Sequence, residues 1–248
     1  MPFMWRARGD ADPLRRRWIW PRILLFVLVA AGTAIAFRQG LVAPVINPLP
    51  ALDLAAPRPW LVDWRLAGIK YYPSACARTL KAPHIEAQPI ADKPMEDGCG
   101  WSNSVRLASA GGVRASFGQL TCETAVALAL WLEHEVQPLA MELLGQKVAS
   151  VQSLGSYACR NIRGSPVWRH VRSQHATANA VDIKGFTLAD GRQIGVRSHW
   201  KSEGAEGRFL REVHARACRY FRAVLGPDYN AAHRDHFHLD RGTWSRCR

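Results

Sequence analysis

Apolar positions recur at helical spacing in two stretches of the chain, and each stretch predicts a helix. The first helix is expected to begin at Thr121, which can cap it, and to run to about Glu135. It resumes after Pro138 and ends at Gly145. The second helix is expected over Ala205–Leu225, where a Gly-Pro pair ends it. Both helices carry an apolar face, so each is expected to pack against other elements.

Short β-prone stretches separated by Gly- and Pro-containing turns predict strands in the rest of the chain. An Asp-Gly pair between residues 180–188 and 193–197 is typical of a tight β-hairpin. Helices mixed with hairpin-connected strands indicate the α+β class, with an antiparallel sheet flanked by helices. The other predicted strands are Ser104–Ala108, Gly112–Phe117, Val148–Cys159 and His233–Asp240.

One apolar stretch near the N-terminus predicts a membrane segment. Residues 23–37 carry no charge, and extension to 18–37 gives the roughly 20 residues that a spanning helix needs. Arginines 15–17 precede the stretch, so the positive-inside rule places a basic tail, residues 1–17, in the cytoplasm. We therefore expect a single-pass signal anchor, with the rest of the chain exported. A signal peptide cleaved at the small residues 34–36 is the alternative.

The remaining chain divides into a linker and one domain. Residues 38–64 contain five prolines without a clean helical or strand period, which favours an extended, semi-stiff linker. Residues 65–248 are enough for one domain with one core.

Composition and charge exclude two classes of protein. A hydrophobic content of 48% with 10 Trp excludes an intrinsically disordered chain. The net charge of +13 suggests an anionic partner, but residues 1–40 alone contribute +5, from seven arginines and two aspartates. The rest has no basic run, zinc-finger spacing or RNA-binding signature, so we expect no nucleic-acid partner. An anionic cell-envelope polymer or a membrane surface fits the charge.

Six scattered cysteines support export. Their number is even and none is in a C-x-x-C pair, which in an exported domain indicates three disulfides and no free thiol. Six cysteines allow fifteen pairings. Proximity in sequence favours Cys76–Cys99, makes Cys218–Cys247 plausible, and leaves Cys122–Cys159.

Two clusters of histidine and aspartate indicate a metal site. His175 and Asp182 are seven residues apart in the first cluster. In the second, His236 and His238 would project to the same face of a strand, because side chains alternate with period two. Two histidines and one carboxylate form the ligand set of a catalytic zinc whose fourth position is open to water.

These motifs resemble two related groups of proteins. The pattern S-x-H-x-x-x-x-A-x-D from residue 173, followed by D-H-x-H from residue 235, is similar to the LAS zinc peptidases: lysostaphin-type endopeptidases, D-alanyl-D-alanine carboxypeptidases and hedgehog amino-terminal domains. The stretches SYACR, SQHATANAVDIKGFTLADGR and FRAVLGPDYNAAHRDHFHLD more closely resemble the proteobacterial extensin-like carboxy-terminal domain family, over roughly residues 68–247. In one departure, Ala178 replaces a glycine usual in LAS proteins, and a left-handed backbone there would strain it.

The resemblance implies a LAS/hedgehog-like zinc peptidase core with specific residue roles. Asp235 would be the general base, and Arg160 would stabilise the developing oxyanion. On a regular strand Asp235 would point away from the face of His236, so it must lie at an irregular strand start. Otherwise His236 or His233 is the better proton-transfer candidate; if Asp235 is the base, His236 would serve as a hydrogen-bond partner beside the ligands. The implied ligands of Zn²⁺ are His175, Asp182 and His238.

Two functions remain open at this point. The first is a periplasmic zinc-dependent peptidase or amidase that acts on peptide cross-links or stem peptides of peptidoglycan. The second is a non-catalytic, zinc-stabilised domain that binds the cell wall or has a structural role. The resemblance to hedgehog domains, where such a scaffold need not be catalytic, keeps the second function open.

Overall fold

The computed structural model describes residues 13–43, 46–56, 59–114 and 116–248, so residues 1–12 of the predicted cytoplasmic tail lie outside the described residues. The helices are α1 (Pro13–Arg38), α2 (Val62–Ala67), α3 (Pro73–Thr79), α4 (Cys122–Trp131), α5 (Gln137–Leu144), α6 (Val196–His199) and α7 (Ala205–Ala217). The strands are β1 (Ile85–Ile90), β2 (Lys93–Glu96), β3 (Cys99–Trp101), β4 (Ser104–Ala110), β5 (Val113–Arg114), β6 (Gln119–Thr121), β7 (Val148–Gly155), β8 (Ala180–Leu188), β9 (Gln193–Gly195), β10 (Ala223–Leu225), β11 (Phe237–Asp240) and β12 (Arg246–Cys247).

Ten of these strands form one mostly antiparallel sheet, in the order β1-β4-β5-β7-β8-β11-β10-β12. Strand β6 pairs with β4 and β9 pairs with β8, while the β5–β7 and β10–β12 pairs are parallel. Strands β2 and β3 form a separate small hairpin. The predicted mixture of helices with a mainly antiparallel sheet is confirmed, as is the hairpin of β8 and β9 around the Asp-Gly pair.

The first predicted helix is continuous through the expected interruption. A π-helical turn over Leu132–Val136 joins α4 to α5, and the segment ends at Gly145 in a left-handed conformation. Pro138 lacks an N–H and would clash with the carbonyl four residues earlier in a regular α-helix. The wider π-helical turn directly before it accommodates the proline, so the chain does not break there. Every residue of α4 is buried, and the helix forms the centre of the core.

The second predicted helix is shorter than its apolar periodicity indicated. Helix α7 ends at Ala217, and the end of the predicted range is strand β10, paired with β11 and β12. Cys218 forms a disulfide with Cys247 of β12, which directs the chain back to the sheet. The helical prediction for residues 218–225 is therefore wrong, because their apolar side chains reach the same core from a strand. Three predicted strands are also too long: β5 covers only Val113–Arg114, β7 ends at Gly155, and β11 begins only at Phe237.

Three disulfides account for all six cysteines, as predicted, and none is free. The Cys218–Cys247 pair is confirmed, whereas the two other predicted pairs are wrong. Helix α3 packs on the start of α4, and the hairpin of β2 and β3 packs on the segment that follows β7. Partners are therefore set by the packing of distant segments and not by proximity in sequence. The two observed pairs are Cys76–Cys122 and Cys99–Cys159.

Part of the Pro-rich segment packs on the domain. Leu52 and Leu54 are buried in the core cluster. The side chain of Arg65 donates hydrogen bonds to the carbonyl oxygens of Pro50 and Ala51. These contacts hold residues 50–54 against the domain surface.

Helix α1 is apolar and largely free of contact with the domain. Its stretch Ile19–Arg38 is long and apolar enough to cross a membrane, with a mean hydropathy of 2.0, and a signal sequence would have the same properties. Residues 19–33 are all exposed, and contact with the domain begins in the last turns of the helix. There the ring of Phe37 stacks on Trp64 at 5.9 Å.

Candidate metal centre

Three elements bring the predicted ligands together. Strands β8 and β11 are antiparallel neighbours, and their register places His238 directly opposite Asp182. His175 comes from a 3-10 turn over Gln174–Thr177, between β7 and β8. Ser173 caps this turn, since its hydroxyl accepts a hydrogen bond from the backbone N–H of His175. Serine is one of the residues preferred at such a capping position.

The three side chains meet through one nitrogen or oxygen atom each. His175 Nε2 lies 3.1 Å from Asp182 Oδ1, and His238 Nδ1 lies 3.0 Å from the same oxygen. The two ring nitrogens are 3.1 Å apart. Both histidines are buried, and Asp182 is largely so. The centre is thus a compact cluster of two imidazole nitrogens and one carboxylate oxygen.

The outer nitrogen of each ring faces a group that can only accept hydrogen bonds. His175 Nδ1 donates to the carbonyl oxygen of Ser156 at 3.0 Å. His238 Nε2 donates to Asp240 Oδ2 at 3.0 Å, and the other oxygen of Asp240 accepts from the backbone N–H of Gly242. Each ring therefore directs its lone pair to the centre when neutral, the arrangement typical of metal-binding histidines.

The charges of the centre favour a cation. Burial alone would raise the pKa of Asp182, but hydrogen bonds from His175 and His238 hold it well below its usual range. Burial alone would lower the pKa of His238, but its hydrogen bonds to Asp182 and Asp240 raise it to about 9. A positive charge at this position, on a proton or a metal ion, is therefore stabilised by two carboxylates.

The donor set and its spacing fit zinc. Zinc is typically bound by histidine nitrogens and carboxylate oxygens at about 2.0–2.2 Å in tetrahedral geometry, which separates the ligand atoms by about 3.3–3.6 Å. The observed separations of 3.0–3.1 Å are a few tenths of an ångström shorter than that range.

His236 lies between Asp235 and this cluster. His236 Nδ1 is 2.9 Å from Asp235 Oδ1, while its Nε2 is 3.8 Å from Asp182 Oδ1. The two residues precede the regular part of β11, as the sequence required of Asp235. The hydrogen bond from His236 lowers the pKa of Asp235, which thus remains ionised. The carboxylate of Asp235 contacts the centre through the imidazole and not directly.

His233 and Arg160 complete the surroundings of the cluster. The ring of His233 lies 5.4 Å from that of His236 and 5.8 Å from that of His238. Burial, with the charges of these two neighbours, lowers the pKa of His233 to about 4, so it is neutral near pH 7. Arg160 is half-buried; burial lowers its pKa, and the charge of Asp182 opposes that shift. Its guanidinium is therefore an electrostatic neighbour of the centre.

A family model described as extensin-like protein C-terminus matches residues 74–248, about seven-tenths of the chain. The chain belongs to this family. No curated protein and no solved structure shows significant similarity to it. The match includes all the residues of the cluster described above.

A strained residue follows the first ligand in the extensin-like domain. Ala178 has φ +54°, the left-handed region in which an alanine is strained and a glycine is not. Its carbonyl oxygen accepts from the backbone N–H of Thr121, and the neighbouring Asn179 accepts from the hydroxyls of Thr121 and Thr124. These bonds fix the loop after His175 to the start of α4, which is how the domain maintains the strained conformation.

Two supporting residues of the centre were not predicted from the sequence. Asp240 holds His238, and the main chain of Ser156 holds His175. Asp240 could have been found, because it is two residues after His238 and so projects to the same face of the strand. The contact with Ser156 could not have been found, because it uses the main-chain carbonyl oxygen, which every residue type has.

The buried residue His214 predicts that the domain becomes less stable as the pH falls. The ring of His214 packs against the rings of Trp200 and Phe237, and burial lowers its pKa from 6.5 to about 4. Between these values the unfolded chain binds a proton that the folded domain does not, so the free energy of unfolding falls as pH falls. The decrease is at most about 1.4 kcal/mol per pH unit. In urea titrations, His214→Gln should have a shallower pH dependence than the wild type; equal slopes would contradict this prediction.

Proposed function

We propose that this extensin-like protein is a membrane-anchored, periplasmic, zinc-dependent peptidase or amidase with a LAS-type core, acting on peptide cross-links or stem peptides of peptidoglycan. The convergence of one atom each from His175, Asp182 and His238 within 3.0–3.1 Å carries the proposal. The outer nitrogens of both rings are already engaged, so each ring, when neutral, directs its inner lone pair to the cluster. This is the donor set of a zinc site with an open position.

His175, Asp182 and His238 would hold the ion. When bound, zinc supplies a water molecule with a pKa near 7 and polarises a carbonyl group. The ring contacts with Ser156 and Asp240 keep both histidines in the orientation that binding requires.

His236 is the residue placed to accept and return a proton. Its Nδ1–H is held by Asp235, which leaves Nε2 directed towards the cluster, 3.8 Å from Asp182. A carboxylate behind an imidazole fixes the ring and stabilises its protonated form, as in serine-protease triads. We therefore assign proton transfer to His236 and a positioning role to Asp235, the alternative that the sequence left open.

Arg160 would stabilise negative charge on the substrate. Its guanidinium is half-buried and electrostatically coupled to Asp182. A fixed cation beside the reacting carbonyl lowers the energy of the developing oxyanion, because it needs no reorganisation during the reaction.

Helix α1 and the disulfides support the proposed location. The apolar stretch Ile19–Arg38 would anchor the chain in the inner membrane, with the arginines before it on the cytoplasmic side. Three disulfides are typical of an oxidising compartment, which favours the periplasm for the domain.

Zinc content and hydrolysis, measured on the same samples of the full chain in detergent, test the proposal. We expect one zinc per chain and chelator-sensitive hydrolysis of muropeptides. His238→Ala should lose both zinc and activity, whereas His84→Ala, at an exposed histidine outside the cluster, should keep both. Absence of zinc from the wild type would contradict the proposal. Zinc without turnover of cross-linked or stem peptides would favour the non-catalytic cell-wall-binding domain instead.

A further inference from the structure

The end of helix α1 is fixed to the folded domain by buried groups. Arg222 donates from Nη2 to the carbonyl oxygen of Arg38 at 2.6 Å, and its Nε binds Asp63 Oδ1 at 2.8 Å. The guanidinium of Arg222 is buried, and Nη1 also donates to the carbonyl oxygen of Gly242. With the stacking of Phe37 on the domain, these bonds give the helix a defined point of attachment.

This attachment sets which part of the domain is nearest to a bilayer. The apolar stretch Ile19–Arg38 has 20 residues, which as a helix are about 30 Å long, the thickness of the hydrocarbon core. Arg38 then lies at the level of the lipid headgroups. Domain residues that contact Arg38 must lie at the same level.

Large apolar side chains are exposed next to Arg38, at the expected level of the headgroups. Arg38 Nη2 donates to Ser245 Oγ at 2.7 Å, and the adjacent Trp244 is 74% exposed. The ring of Trp244 lies 6.0 Å from that of Trp168, which is 46% exposed. On the same loop Val167 is 76% exposed. Tryptophan is enriched at membrane interfaces, because its ring is apolar and its N–H is polar.

The two segments that carry these tryptophans contain basic residues and no acidic ones. Residues 163–172 contain three arginines and residues 241–248 contain three, and neither segment contains an acidic residue. Five of these six arginines are exposed, and only Arg241 is buried. Basic side chains next to a membrane anchor are attracted to anionic lipids.

We propose that Val167, Trp168 and Trp244, with the exposed arginines of these two segments, form a surface that binds the headgroup layer of an anionic bilayer. We name it the Trp168–Trp244 surface. The proposal rests on the membrane anchor of the proposed function. A glycan strand could also stack on two tryptophans, but the bond between Arg38 and Ser245 places these residues beside the anchor, which favours lipid.

Fluorescent probes on the full chain test this surface. All six native cysteines are paired, so one introduced cysteine is the only thiol to label. The probe positions are Leu25→Cys in α1, Val167→Cys on the surface, and Met141→Cys as an exposed control. Glu123 at the start of α4 binds Arg241, which binds Asp63 beside the anchor, and Met141 lies 18 residues further along the helical segment, roughly 27 Å away. Each labelled chain is placed in vesicles of phosphatidylcholine and phosphatidylglycerol that contain a lipid with a nitroxide near its headgroup.

We expect the nitroxide lipid to cause loss of fluorescence at positions 25 and 167, and none at 141. The loss at 167 should decrease in vesicles of phosphatidylcholine alone and in the double variant Trp168→Ser, Trp244→Ser. Quenching at 25 without quenching at 167 would overturn the surface and leave the anchor intact, as would equal quenching at 141 and 167. Absence of quenching at 25 would overturn the anchor itself. A response at 167 to soluble peptidoglycan fragments but not to lipid would identify a glycan site instead.

Discussion

Replacement of His236 by glutamine is expected to lower the rate of muropeptide hydrolysis by about 10²–10⁴-fold, the typical loss when a positioned acid–base group is removed. Glutamine has a similar length and remains a hydrogen-bonding partner for Asp235, but it cannot accept a proton at neutral pH. Since His236 is not one of the three ligands, the zinc content should stay near one per chain. The measurement is kcat and KM together with zinc analysis on the same sample.

Asp235→Asn separates the positioning role from proton transfer. The amide keeps the shape and one hydrogen bond to His236, so kcat should fall less than in His236→Gln, while KM and zinc content stay unchanged. Full activity in His236→Gln, together with a loss in Asp235→Asn as large as 10²-fold, would instead make Asp235 the general base. The same kinetics on His84→Ala control for the loss of an unrelated histidine.

Removal of a buried guanidinium should have the largest effect on stability. Arg241 binds Glu123 Oε1 through Nη2 at 2.6 Å and Asp63 Oδ1 through Nη1 at 2.6 Å. Glu123 is fully buried, so Arg241→Met leaves its carboxylate without a counter-charge. Breaking a buried pair in this way typically costs about 3–5 kcal/mol. Urea titration of the full chain in detergent should show a decrease of this order in the free energy of unfolding.

Arg192→Met is the matched control for Arg241→Met. Arg192 pairs with Asp190 at 2.7 Å at the tip of the hairpin of β8 and β9, where both side chains are about one-third exposed or more. Exposed ion pairs contribute about 1 kcal/mol or less, because water screens them. Equal losses in the two variants would contradict the assignment of the Arg241 network as a buried and structurally important one.

Local patterns were enough to predict several elements of the fold. The Asp-Gly pair fixed the hairpin of β8 and β9, and apolar spacing located the segment from α4 to Gly145. Period-two alternation indicated that His236 and His238 share a strand face, and both rings do reach Asp182. These features depend on residues close in sequence, which is why one chain alone reveals them.

Features set by distant contacts could not be predicted in the same way. Residues 223–225 have the apolar spacing of a helix, but they pair with β11 and β12 as a strand. The partner of Cys99 is Cys159, 60 residues away, because the β2–β3 hairpin packs on the segment after β7. The orientation of Asp235 depends on the position of His236, which the sequence pattern does not encode.

The attachment of α1 limits where the centre can work. His238 and Trp244 are six residues apart, so their Cα atoms are at most about 22 Å from each other. On the proposed anchor, Trp244 lies among the headgroups. The hydrogen bond from Arg222 to Arg38 limits movement of the domain relative to the anchor helix. The centre then operates within a fixed radius of about two nanometres from the bilayer surface. A bond in the cell envelope is accessible to it only where the polymer, or a precursor of the polymer, comes that close to the membrane.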